Sequence, residues 1–321
     1  MKIRHLKLFV PLIAVTALTA CQQDDTAATV DASAEPAANS AADTPAAMKT
    51  SHIVEVIARD FSFESPEQIP SGWTTFRFNN EGAQEHFMAL TRMPDGLTVD
   101  DYLTDLVHGA FGGAMGPYYT GEVELGAALE NLVALMPEWY ADVTPSGGAG
   151  LLTGGKVSDT TVELEPGYYV MECYVKAPDG RFHVDMGMIR GLTVTDDASG
   201  ASAPDADIVV TLANYVIDAP DMLGAGKHTV KVRYLENPDG FFMHDVHLAR
   251  MTDGVSMDEV IPWMSWIDGM VSPAPVEFLG GADQMPAGST AYFEVDLEPG
   301  SYAWISEGYA AQGAVKEFVV E

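Results

Sequence analysis

Cys173 opens the stretch Cys-Tyr-Val-Lys-Ala-Pro-Asp-Gly-Arg-Phe-His-Val-Asp-Met-Gly-Met, which ends at Met188 and also carries His183 and Met186. A thiolate is a soft metal ligand and an imidazole a borderline one; two His, one Cys and a distant Met form the trigonal copper site suited to electron transfer. This stretch offers three of those four donors. The other cysteine, Cys21, sits in a leader-like segment, so Cys173 has no disulfide partner and needs burial or a metal to protect its thiol in an oxidising compartment.

The donors must be held by short strands. Apolar and β-branched runs bounded by Gly, Pro and Asn fall at 53–58, 73–78, 86–91, 160–164, 168–174 and 188–194 in the first half. In the second half they fall at 207–212, 228–235, 243–249, 290–297, 301–305 and 314–320. Many short strands separated by turn signals predict all-β sandwiches. The strand 168–174 ends in the thiol, and Asp179-Gly180 turns the chain back towards His183. The fourth donor must come from elsewhere, and His86 is the natural supplier.

The two halves repeat. The segment His86 to Gly96 aligns with His244 to Gly254, and Leu164-Glu165-Pro166-Gly167-Tyr168-Tyr169 aligns with Leu297-Glu298-Pro299-Gly300-Ser301-Tyr302. The first half has a longer interval between these matches, which places an insertion at 97–146. Thr98 with Asp101, and Ser256 with Glu259, have the spacing of capping boxes. Val99, Leu103, Leu106 and Ala110 recur at helical spacing, and Leu125, Leu129, Leu132, Val133 and Met136 form a second amphipathic helix stopped by Pro137. The break at 196–204 separates a first domain, 51–196, from a second, 207–321.

Asn79-Asn80 followed by His86, then Glu165-Pro166-Gly167-Tyr168, Cys173, His183 and Gly187-Met188, resembles a type 1 copper site of the cupredoxin family. The resemblance spans 52–195, with an echo over 207–321, and implies tandem Greek-key β-sandwiches with short helical insertions. It implies one copper ion held by the Cys173 thiolate, the His86 and His183 imidazoles and the axial thioether of Met188, with Met186 the rival. The nine residues between Cys173 and His183 most resemble the copper nitrite reductases, with one residue more than their pattern. The catalytic coppers of those enzymes and of multicopper oxidases need further histidines, one of them directly before the Cys; here Glu172 stands there. An electron carrier is therefore expected, with a copper-scavenging or copper-donating protein as the alternative and an oxidoreductase third. In the second half Ser306 stands at the Cys173 position, no histidine follows His247, and 306–313 reads as a plain turn, so no metal is expected there.

Lys2, Arg4 and Lys7 precede the apolar run Leu8 to Leu18, a signal peptide covering 1–20 and too short to span a membrane. Leu18-Thr19-Ala20-Cys21 resembles the bacterial lipobox, which implies lipidation of Cys21 and, with Gln22 next, an outer-membrane lipoprotein whose globular part lies in the periplasm or at the cell surface. Residues 21–50 are small and polar without aromatics, a composition that reads as a disordered tether. Without the leader's three basic residues the balance is 13 basic against 47 acidic, a formal charge of −34. That excludes nucleic acid and leaves the lipid anchor as the one membrane contact. It favours periplasmic redox partners with basic docking faces.

Overall fold

Alternation of apolar and polar residues sets the strands. In β1 (Ile53–Arg59), Val54, Val56 and Ala58 are buried while their neighbours face outward, as a strand with one face on a core requires. The computed structural model describes residues 51–321, all within one compact unit. The expected signal peptide 1–20, Cys21 and the tether 21–50 lie outside the described residues. Among the described residues no helix is long and apolar enough to cross a membrane.

β2 (Ser62–Glu64) folds back on β1, and β1 runs parallel to β3 (Gln68–Asn80). β3 serves two sheets. Its first residues, from Gln68, pair with β8 (Ile189–Ala198), and from Gly72 onward it pairs with β6 (Val157–Leu164). Gly72 takes φ +97°, a left-handed turn that glycine adopts without steric penalty, and there the strand crosses from one layer to the other. β8 continues through β7 (Gly167–Glu172) and β4 (Ala89–Arg92) to β5 (Thr144–Pro145), completing a sandwich.

The second half repeats the plan. β9 (Ile208–Ala213), β10 (Val216–Asp218), β12 (Gly226–Glu236) and β15 (Thr290–Leu297) form one layer. β11 (Met222–Leu223), β17 (Val315–Val320), β16 (Gly300–Ile305), β13 (Val246–Arg250) and β14 (Glu277–Ala282) form the other. Where β3 bends at Gly72, the second half breaks into β11 and β12, with Gly226 at φ +121° opening the latter. The fold is all-β, two sandwiches with short helices between strands. β6 pairs antiparallel with β15, Thr160 opposite Phe293, so the first layers of both halves run on as one sheet. A single buried apolar cluster extends through both halves.

Both capping boxes form, at Thr98 with Asp101 and at Ser256 with Glu259. After the first, Tyr102–Gly112 is wound as a π-helix instead of the α-helix that the spacing predicts. Its i→i+5 bonding changes the inward face to Tyr102, Leu106, Val107 and Ala110 and leaves Leu103 half-buried. The helix Leu125–Leu135 buries Ala128 and Leu132 but exposes Val133. These helices share an apolar cluster with Val170 on β7 and with Val184, next to His183, so the insertion braces the segment that carries the candidate ligands.

Candidate metal centre

His86 lies just before β4. Its N–H donates to Leu152 O and its carbonyl accepts the Leu152 N–H, at 3.1 and 2.8 Å, so the 147–152 segment fixes its backbone. Buried Asn80 pins the loop in front of it, donating through Nδ2 to Gln84 O and Leu152 O and accepting the Gly82 N–H. Cys173 follows β7, and the chain then makes the Asp179-Gly180 hairpin, in which the His183 N–H donates to Val175 O at 2.8 Å. The 3₁₀ turn Val184–Met186 ends on Gly187 at φ +110° and delivers Met188, whose carbonyl accepts the Cys173 N–H and whose N–H donates to His183 O. Met188 is fully buried in the core, whereas Met186 is half-buried on the turn.

The structure brings His86, Cys173 and His183 together, with all three donor atoms inside 4.8 Å and all three side chains fully buried. Cys173 Sγ is 3.8 Å from His86 Nδ1 and 3.6 Å from His183 Nδ1, and the two Nδ1 atoms are 3.1 Å apart. Each ring is held from behind: His86 Nε2 lies 2.7 Å from Asp60 Oδ1, and His183 Nε2 lies 3.1 Å from Gln84 Oε1. Carboxylate and amide oxygens accept, so both Nε2 atoms carry the proton and both Nδ1 atoms present lone pairs. Two lone pairs and a sulfur thus face one another with at most the thiol proton between them. A cation at that point resolves the repulsion, and the donor set of two imidazoles and a thiol, with buried Met188 tied by its main chain to Cys173 and His183, fits a soft or borderline one.

Burial and the neighbouring His86 push the His183 imidazole down to about 3, and burial also lowers His86 against the pull of Asp60. Burial raises the Cys173 thiol to about 12, countered in part by the N–H groups of Phe87 and Val175 that its sulfur accepts. Asp60 is pushed up by burial, but the Ala83 N–H, His86 and the Gln84 N–H together hold its carboxyl below the usual range. Glu172, beside the thiol, is buried, raised to about 7, and accepts the Tyr102 hydroxyl. Asp60, Gln84 and Phe61, whose ring lies 4.8 Å from that of His183, are contacts that the spacing of the ligands does not reveal.

The second half reproduces the core of this framework, although the Tyr309 N–H donates to Ser306 O where the His183 N–H donates to Val175 O. The Ser306 N–H donates to Ala314 O as Cys173 does to Met188, and the Ala314 N–H donates to Tyr309 O as Met188 does to His183. Ser306, Tyr309 and Ala314 therefore stand where Cys173, His183 and Met188 stand. The stretch expected as a plain turn is a 3₁₀ helix, Glu307–Gln312, with Glu307, Tyr309 and Ala310 buried.

A second buried group, Asp245, His247 and Glu307, also places its side-chain atoms within 4.8 Å. Here the Leu151 N–H donates to His247 Nδ1 at 3.0 Å, so the lone pair is spent there and Nε2 carries a proton, 3.5 Å from Asp245 Oδ2. A metal would need that lone pair at Nε2. Glu307 accepts the Tyr174 hydroxyl, and burial with the charges of Asp245 and Asp283 raises its carboxyl well above the usual range.

No protein-family profile matches the chain, and no curated protein matches it. Among solved structures it is similar to reduced auracyanin from Roseiflexus castenholzii, at 18% identity over 46% of this chain and 98% of that one, with a TM-score of 0.25. A multicopper oxidase gives 13% over 84% and 88%, with a TM-score of 0.22. The copper-containing nitrite reductase of Thermus scotoductus gives 10% over 84% and 61%, with a TM-score of 0.21. Likenesses at this level carry no argument about chemistry, which rests on the site itself.

Proposed function

We propose that the protein is a one-electron carrier holding a single copper ion through His86 Nδ1, Cys173 Sγ and His183 Nδ1, with Met188 as the axial thioether. The observation that carries this reading is the pair of bare imidazole nitrogens 3.1 Å apart beside a fully buried thiol, each ring tied through its other nitrogen. Bound copper supplies a Cu(I)/Cu(II) couple. The residues supply rigidity: the rings are locked by Asp60 and Gln84, the Cys173 backbone by Met188, and the sulfur by the N–H groups of Phe87 and Val175. Such outer contacts orient the ligands and tune the couple. Full burial of the donors favours a carrier over a store or donor, which needs ligands that exchange. Among the described residues the other histidines form no second nitrogen-rich group, which favours a carrier over an enzyme.

Copper-loaded protein is expected to show a thiolate-to-copper charge-transfer band and to titrate reversibly with one electron per chain. Cys173→Ser should lose both. Copper that binds without the band, or that leaves on reduction, would support copper handling instead.

The acidic balance supports partners that are periplasmic redox proteins with basic docking faces. The leader and Cys21 support an outer-membrane lipoprotein anchored at that residue. Cys21→Ser should abolish lipid labelling of the protein in cells; a variant still labelled would refute the anchor.

A further inference from the structure

Asp60 stands in the turn between β1 and β2, its side chain about a quarter exposed, and its Oδ1 meets His86 Nε2 at 2.7 Å. Its Oδ2 accepts the Ala83 N–H at 3.0 Å, which anchors the carboxylate to the loop leading into His86. A Cβ at position 82 would stand 2.3 Å from Asp60 Oδ1 and 2.8 Å from His86 Nε2, so only glycine lets this contact close. The loop is thus shaped around the pair.

The second half supplies an internal comparison. His244 corresponds to His86, and its Nε2 donates to the main-chain carbonyl of Asn214, which stands in the β9–β10 turn as Asp60 stands in the β1–β2 turn. The next residue repeats too: Tyr215 lies against Tyr309, ring centroids 5.7 Å apart, where Phe61 lies against His183 at 4.8 Å. A neutral carbonyl therefore suffices to hold the imidazole in this framework. The metal-competent half uses a carboxylate, which adds a full negative charge behind the ligand.

On the reading that His86 binds copper, we propose that Asp60 is a positioning residue with two separable effects. Its hydrogen bond keeps the proton on His86 Nε2 and the Nδ1 lone pair on the metal side. Its charge, transmitted through the ring and poorly screened beside a buried site, favours the divalent over the monovalent ion and so lowers the reduction potential. Neither effect requires Asp60 to touch the metal.

The test uses the full-length protein with Asp60→Asn, which keeps an acceptor oxygen but removes the charge, and Asp60→Ala, which removes both. Asp207→Asn, which removes a carboxylate bonded to His228 in the other half, is the charge control. In metal-free protein, ¹⁵N NMR of the His86 ring is expected to show the Nε2–H tautomer in the parent and in Asp60→Asn, and a mixture in Asp60→Ala. In copper-loaded protein, Asp60→Asn is expected to keep the thiolate band while the ratio of Cu(II) to Cu(I) affinity falls at least tenfold, a rise of about 59 mV for a one-electron couple. Asp207→Asn should leave the ratio unchanged. An unchanged ratio in Asp60→Asn, or an equal shift in Asp207→Asn, would overturn the charge effect. A single Nε2–H tautomer in Asp60→Ala would overturn the positioning effect. Failure of the parent to bind copper would remove the functional reading and the charge effect with it, while the NMR measurement would still decide the tautomer.

Discussion

Ser306 Oγ lies 3.0 Å from His244 Nδ1, in the place that Cys173 Sγ occupies beside His86 Nδ1 at 3.8 Å. Around this pair the two segments share the main-chain bonds that tie Cys173 to Met188 and Met188 to His183, so much of what separates the halves is side-chain chemistry on a similar backbone. A hydroxyl is a hard donor and does not replace a thiolate for copper. Tyr309 and Ala314 remove the second imidazole and the thioether as well.

The chain is therefore expected to retain one copper after dialysis, and His244→Ala should leave that count unchanged. The combined variant Ser306→Cys, Tyr309→His, Ala314→Met should bind a second equivalent with its own thiolate band. Metal analysis per chain decides; a second equivalent in the parent that is lost with His244→Ala would show a site in the second half.

The strands that alternate were legible because each has one face on the core, and the boundaries of β1, β9 and β15 fall within a residue or two of the sequence pattern. β2, β5, β10 and β11 were not, being two or three residues long. β14 was not singled out either, since Gly280-Gly281 interrupts its apolar alternation. His86, Cys173, His183 and Met188 could be singled out because three of them share one loop and the fourth starts a repeat. Asp60 could not, as one acidic residue among many, distant in sequence and brought to His86 by the turn geometry. The clustering of Asp245, Asp283 and Glu307 was equally hidden, since nothing local tells a buried carboxylate from a solvated one.

Gly148 packs behind the His86 segment at φ +117°, and a Cβ there would stand 1.8 Å from Met88 O. Gly155 has φ +79° but open space around it. Gly148→Ala should then destabilise by about 3 kcal/mol or more, from backbone strain plus the clash, and Gly155→Ala by about 1 kcal/mol from strain alone. Urea midpoints compare the two directly, and equal shifts would contradict the close approach.

Lys176 fastens the ligand hairpin to the second half. Its Nζ donates to Ile267 O at 2.6 Å and Gly269 O at 3.0 Å, under the rings of Phe182 and Tyr119, and burial lowers its amine to about 8. Lys176→Met fills similar volume but leaves two carbonyls without that donor, at about 1–3 kcal/mol for each one left buried. The urea midpoint should fall accordingly, and the copper of the variant should exchange faster with a chelator. An unchanged midpoint would mean that water takes over both carbonyls.

Asp283 gives a pH dependence whose sign can be worked out. Burial, then the charge of Asp245, raises its carboxyl to about 7 from an ordinary value of 3.8. Between those two values the folded chain holds a proton that the unfolded chain has released, so this group's contribution to stability is full below pH 4 and is lost as pH rises to about 7. The buried imidazoles of His86, His183 and His244, all lowered, act in the opposite direction. The informative quantity is therefore a difference between two proteins. Asp283→Asn keeps an oxygen to accept the Gln284 N–H, and its stability relative to the parent should improve by a few kcal/mol at most between pH 4.5 and 8. Urea denaturation of the metal-free proteins at both pH values measures this; a relative stability that is flat or falls with pH would show that Asp283 ionises at its ordinary value in the folded chain.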